Sequence, residues 1–219
     1  MISTRQSYDQ DLATLREDLL HMGVVVTNAI DKAVESLAKR NVSLAKQIMD
    51  GDDVIDDMQV DIEDKCMVLI ARQQPMARDL RIIGTGLKIT TDLERVGDHA
   101  FDIAKIAVDL NGKELIKPLV DIPRMAKMSQ TMLKDALEAY INLDIVLAEQ
   151  VCAADDEVDQ LNQQLFRELL TYMMEDHRTI SQATQLILVA RSLERVADHA
   201  TNIAEWVIYL VTGQRMRKK

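Results

Sequence analysis

Apolar residues recur at steps of three and four along most of the chain, and this step predicts helices rather than strands. Leu12, Leu15, Leu19, Met22, Val26, Ile30, Ala33 and Leu37 form one stripe, opposite Asp11, Arg16, Asp18, Lys32 and Glu35, which predicts a helix from about Gln6 to Arg40. Asn41 ends it, and Ser43 is a cap for a short helical stretch, Leu44 to Met49, before Gly51 bends the chain. A second long helix is expected from about Asp52 to Gln73, closed by Pro75, which lacks an N–H and disfavours a helical residue before it. A third runs from about Met76 to Leu110, with Asn111-Gly112 as its stop.

Gly112 to Pro123 holds two of the three prolines and reads as the connection between two units, residues 1–112 and 121–213. In the second unit, Asp121 is a cap for a helix from about Ile122 to Leu143, and another follows from about Asp155 to Met174. Thr179 and Gln182 have capping-box spacing for a last helix that reaches about Thr212, with Gly213 as its stop. The expected fold is all-α: two tandem three-helix bundles, neighbouring helices antiparallel where connections are short.

The two units are copies. Leu93-Glu94-Arg95-Val96-Gly97-Asp98-His99-Ala100 returns as Leu193-Glu194-Arg195-Val196-Ala197-Asp198-His199-Ala200, 100 positions later. The stretch from Asn41 to Asp53 matches that from Asp144 to Asp156 at an offset of 103, so the second copy is three residues shorter, most simply at the turn equivalent to Gln74-Pro75.

Composition narrows this picture. Aromatics are 3% of the 219 residues, with seven glycines and three prolines, which disfavours sheets and turns. The net charge of -10 disfavours nucleic acid or an anionic membrane as the main partner. The start, Met1 to Arg5, has no apolar signal core, and no apolar run approaches the ~18 residues of a membrane span, so a cytoplasmic protein reaching membranes only through partner proteins is expected. Cys66 and Cys152 read as buried thiols of a reducing compartment, the twelve methionines as core filler, and Arg215 to Lys219 as a solvated basic tail.

The candidate chemistry lies in paired acids. Glu94 with Asp98 and Glu194 with Asp198 are four apart, so each pair stacks on one side of a helix and repels. Asp52 with Asp56 and Asp155 with Asp159 repeat the spacing near the start of each unit's second helix. Asp56 and Glu94 both lie about 19 residues from the intervening turn, about 28 Å at ~1.5 Å per residue, so the pairs should face each other at one height. Four facing carboxylates suit a hard or borderline cation: Mg²⁺, Ca²⁺, Mn²⁺, Zn²⁺ or iron. Each row also drifts from the apolar face toward solvent, which suits a plain solvated acidic face. Arg95 and Arg195 are structural ion-pair partners, and His99 and His199 are either ligands or locally paired residues. No nucleophile elbow, Gly-rich phosphate loop or Glu-x-x-His pattern is present, so neither catalysis nor an organic cofactor is expected. The alternative is a helical-bundle metalloenzyme whose carboxylate-bound metal activates water or oxygen.

The repeated Leu-Glu-Arg-Val-x-Asp-His, Gly51-Asp52-Asp53, Arg72-Gln73-Gln74-Pro75 with Asp79-Leu80-Arg81, and Thr171 to Asp176 with Arg178-Thr179-Ile180 together resemble the PhoU family of phosphate-regulatory proteins over nearly the whole chain. The resemblance implies two similar three-helix bundles and metal clusters, in some members iron, held by Asp52, Asp56, Glu94 and Asp98 and by Asp155, Asp159, Glu194 and Asp198. Asn202 stands where the first unit has Asp102, so weaker metal binding is expected at the second site. The implied role is negative control of phosphate uptake and of the phosphate-starvation response. The implied partners are the ATPase of the phosphate ABC transporter, a sensor histidine kinase, and a second copy of the chain in a homodimer.

Overall fold

The stripes become helices at nearly the expected bounds. A computed structural model describes residues 4–215, with side chains from residue 8. The elements are α1 (Thr4–Lys39), α2 (Val42–Met49), α3 (Asp52–Gln73), α4 (Arg78–Asp109), α5 (Asp121–Asn142), α6 (Ile145–Glu175), a 3₁₀ turn (His177–Thr179) and α7 (Ile180–Thr212). Among the described residues there is no strand, and no helix is long and apolar enough to cross a membrane.

Two bounds differ from expectation for local reasons. α4 starts at Arg78 because Gln74 and Ala77, either side of Pro75, have positive φ values of 45° and 49° and make the turn. α6 is one helix from Ile145, whereas its counterpart in the first unit is divided into α2 and α3. The division falls at Asp50-Gly51, and the second unit has Ala153-Ala154 there, the strongest helix-forming residue in place of one of the weakest.

Three expected caps do not form as read. Asn41, not Ser43, caps α2 by accepting from the Leu44 N–H (3.1 Å), and its counterpart Asp144 caps α6 by accepting from Leu147 (3.1 Å). Asp121 does not cap α5; its carboxylate pairs with Lys117 (3.2 Å). The Thr179–Gln182 capping box does not form. Thr179 donates its hydroxyl to the Tyr172 and Asp176 carbonyls, and Asp176 accepts from the Arg178 N–H. Gln182 instead ties down the linker, accepting from the Ile116 N–H and donating to the Glu114 carbonyl. A connection lying against the core must find partners for its backbone groups, and that need outranks a cap.

α1, α3 and α4 form the first bundle with α2 against α4; α5, α6 and α7 form the second. α4 packs on α7 and α1 on α5, so Met22, Ile30, Leu93, Leu133, Leu193 and Val207 belong to one hydrophobic core spanning both units. α4 and α7 are covered on several sides, which small residues permit: Gly86, Gly97, Ala100 and Ala104 on one, Ala190, Ala197, Ala200 and Ala204 on the other. Cys66 is buried as expected, but Cys152 is half-buried; both are free thiols. Met22, Met125 and Met132 fill the core, whereas Met67, Met76 and Met174 are exposed. Met1–Ser3 and Met216–Lys219, where the leader and tail readings mostly fall, lie outside the described residues.

At one contact the two copies compensate in volume. A Cβ on Gly97 would lie 3.0–3.1 Å from the Ile55 side chain, so α3 approaches α4 over a glycine. In the repeat register the equivalents are Val158 and Ala197, a methylene fewer on one helix and a methyl more on the other. Gly97→Ala alone should destabilise, because overpacking of about 1–3 kcal/mol outweighs the gain of about 1 kcal/mol in helix propensity. In an Ile55→Val background the same change should stabilise by about 1 kcal/mol. A double-mutant cycle by urea denaturation checks this, and additive effects would refute the compensation.

Candidate metal centres

The Ile55–Gly97 contact decides where the first acidic group sits. Asp52 and Asp56 flank Ile55 on the first turns of α3; Glu94 and Asp98 flank Gly97 on α4. Packing these apolar positions brings the carboxylates into one another's fields. The Asp52 carboxyl is held above its ordinary range by burial and then by Asp56 and Asp98. Glu94 is raised by burial and by Asp98, against the opposing pull of Arg95.

The second group repeats this arrangement more strongly. Burial, then Asp159, Asp198 and Glu194, push Asp155 up to about 6. Asp159 and Glu194 are both raised, with burial the largest cause and Asp198 the next. All eight acids singled out by spacing are therefore brought together, four to a group, one group per unit. Within each group the glutamate is more enclosed than its aspartate: the Glu94 side chain is 15% exposed against 40% for Asp98, as the outward drift of the row predicts.

The repeated motif carries its own partial remedy. Arg95 reaches back to Glu94 (3.4 Å) and forward to Asp98 (2.8 Å), and Arg195 likewise spans Glu194 (3.8 Å) and Asp198 (2.9 Å). Each motif arginine faces four carboxylates, and even with Arg191 also acting on Glu194 in the second group an excess of negative charge remains. These hard oxygen donors on two adjacent helices suit a hard cation in chemistry and placement. Among the described residues, no three His, Cys, Asp or Glu side chains already converge into a cage, so closing a shell requires the exposed Asp56 and the half-buried Asp98 to turn inward.

The histidines face the seam between α4 and α7. Their rings lie 5.8 Å apart, centre to centre. His199 Nδ1 is 2.9 Å from Asp92, which also accepts from Asn202 (3.3 Å). Asp92 carried no motif signal of its own; its only mark is that position 192 is serine. His99 has no such partner: its Nδ1 is buried and unbonded, and burial followed by the neighbouring His199 lowers its pKa to about 4.

The PhoU domain family model matches residues 19–107 and again residues 122–207. The chain belongs to the PhoU family. It is 44% identical over 214 residues to the phosphate-specific transport system accessory protein PhoU homolog of Clostridium acetobutylicum, covering 97% of this chain and 98% of that one. With the homolog of the same description from Aquifex aeolicus the identity is 46% over 205 residues, 94% and 93% of the two chains. The PhoU crystal structure from Pseudomonas aeruginosa aligns with a TM-score of 0.91 at 40% identity, covering 94% of this chain and all of that one. The phosphate transport system regulatory protein PhoU from Streptococcus pneumoniae gives 0.90 at 32%, covering 96% and 100%. The two family-model matches fall on the two bundles, so the repeat read from sequence is a doubled PhoU domain.

The raised acids give a pH signature. Because the folded pKa of Asp155, about 6, lies above its ordinary 3.8, the folded state holds the proton more tightly than the unfolded chain. The group's favourable contribution is complete below the lower value and is lost as pH rises through the upper one. In chelator-treated protein, Asp155→Asn should raise the melting temperature at pH 8, and the gain should vanish below about pH 4, where the parent is itself neutral at this position. A gain that is the same at both pH values would show that the repulsion is unimportant.

Proposed function

We propose that this protein is a non-enzymatic negative regulator of phosphate uptake and of the phosphate-starvation response. It acts in the cytoplasm as a homodimer, an adaptor between the ATPase of the phosphate ABC transporter and a sensor histidine kinase. The observation that carries this reading is near end-to-end similarity to proteins described as accessory to phosphate-specific transport, at 44% identity and with 98% of the relative covered. Deleting the gene should switch on a phosphate-starvation reporter at high phosphate, and restoring it should silence the reporter. A reporter that stays silent in the deletion strain overturns the assignment.

The acidic groups are assigned to metal: Asp52, Asp56, Glu94 and Asp98 in the first unit, Asp155, Asp159, Glu194 and Asp198 in the second. The second, with Asn202 in place of Asp102, is the weaker. A divalent or ferric ion there supplies positive charge to a dense negative patch and ties the two helices that carry it. The role assigned to it is stabilisation rather than docking, since both groups already hold an arginine that does the same work in part. Replacing Asp52, Asp56 and Asp98 by Asn and Glu94 by Gln should remove one of two metal-binding steps in a titration. The variant should melt with the metal-loaded parent, because its repelling charges are gone, and should still pull down the ATPase and the kinase. Lost association in a variant of unchanged melting temperature assigns the metal to docking instead.

A further inference from the structure

Residues 100 apart meet across the α4–α7 seam, as His99 and His199 do, so the seam has two faces built from equivalent positions. On one face the histidine and its neighbours find partners, although the Thr85 hydroxyl, the counterpart of Gln185, is buried there without a bond. Asp92 of α4 satisfies both His199 and Asn202 of α7, and Lys88 of α4 lies 6.0 Å from the centre of the Trp206 ring. Trp206 packs edge-on against Tyr209, and Arg215 covers it at 5.4 Å.

The opposite face is open. Ser192 replaces Asp92 and is too short to reproduce its bonds, so His99 Nδ1 is left buried without a partner. Ile106 and Asp109 replace Trp206 and Tyr209, which removes the bulk that fills the other side. The result is a cavity of about 550 Å³. His99, Ser192 and Gln185 line it, and Gln185 Oε1 is a second buried polar atom with no bond. Charge is redistributed as well: Asp102 and Asp109 stand where the closed face has Asn202 and Tyr209, and Leu188 where it has Lys88. Arg191 stands where the closed face has Thr91, and Lys105 where it has Glu205. Arg195 is also at the cavity but is engaged with Asp198. Lys105 and Arg191 form none of the ion pairs found among the described residues.

We propose that this open face of the seam binds a small phosphate ester. Its rim carries Lys105, Arg191 and the engaged Arg195 against two acids, Asp102 and Asp109, in a chain whose net charge is -10. The Arg191 guanidinium and the Lys105 ammonium feel Glu194 and Asp102 but form no close ion pair with them, and they suit phosphate oxygens. The two acids are acceptors only and would repel a bare anion, but they suit the hydroxyl or amino donors of an ester's organic part. The volume, too, is that of a small organic ligand rather than of one phosphate ion. The ligand would touch both α4 and α7, and so both units. This assignment stands independently of the regulatory reading, since it is tested by direct binding.

The test is calorimetric titration of the full chain with AMP, glucose 6-phosphate, inorganic phosphate and adenosine. AMP or glucose 6-phosphate should bind one per chain, with inorganic phosphate weaker and adenosine weaker still. The double variant Arg191→Thr, Ser192→Asp copies the closed face: it removes a free cation and offers His99 the partner that His199 has. It should bind the ester at least about tenfold more weakly while melting no lower than the parent. Ester binding that persists undiminished in the double variant overturns the site. Failure of both esters to bind the parent overturns the proposal, binding of inorganic phosphate alone overturns the ester assignment, and adenosine binding as tight as AMP overturns the role of phosphate.

Discussion

Burial of apolar side chains holds the carboxylates together against their own repulsion. Ile55, Ile62, Cys66 and Leu69 line the inner side of α3, and each large apolar side chain contributes about 1.5–3 kcal/mol on burial. An exposed like-charge pair on a helix costs only a few tenths of a kcal/mol. The core therefore sets the spacing of the helices, and the acids on their margins accept what that spacing imposes. The glycine at 97 and the valine at 158 are two ways of reaching the same approach, and the arginine in each motif relieves part of the charge it creates.

The same dominance of packing explains the connection between the units. Lys117 in the linker is buried, held by Asp121 and by Glu168 of α6. Burial alone would lower its pKa, but the hydrogen bonds to these carboxylates outweigh it and keep the amine charged. Gln182 of α7 secures the backbone a few residues earlier. A segment with the composition of a flexible linker thus becomes a clamp on the second bundle, which fits a core that runs through both units rather than stopping at the linker.

What could be read in the chain follows from the range of the forces involved. The bounds of α3 matched because local signals, Gly51 before it and Pro75 after it, agree with its stripe. The continuity of α6 was also legible in Ala153-Ala154, two strong helix formers, yet the expected helix began only at Asp155. The capping box at Thr179 and the cap at Asp121 failed because other partners competed: Lys117, four residues back, for Asp121, the Tyr172 and Asp176 carbonyls for Thr179, and the distant linker backbone for Gln182. The acidic groups were legible because a duplicated four-residue spacing survives folding into helices and the turn length fixes their height. Asp92 was not, because its importance lies in a contact 107 residues away.

Duplication places every residue of one unit opposite a tolerance in the other. Where two equivalent histidines meet on a near-symmetric seam, each needs a partner, and a symmetric chain would supply the same one twice. Here only one aspartate is kept. The loss of the other leaves a buried nitrogen unbonded, an arrangement that native interiors rarely retain without a use. The neighbouring replacements are not those expected if the gap were simply to be filled: the aromatic residue becomes a smaller aliphatic one and a cation replaces a threonine. A face relaxing toward stability would grow apolar and close, as the Trp206 side has. This one remains hollow, polar at its floor and lined by cations and acids at its rim, while its twin on the other side of the seam shows that the same backbone supports a closed alternative.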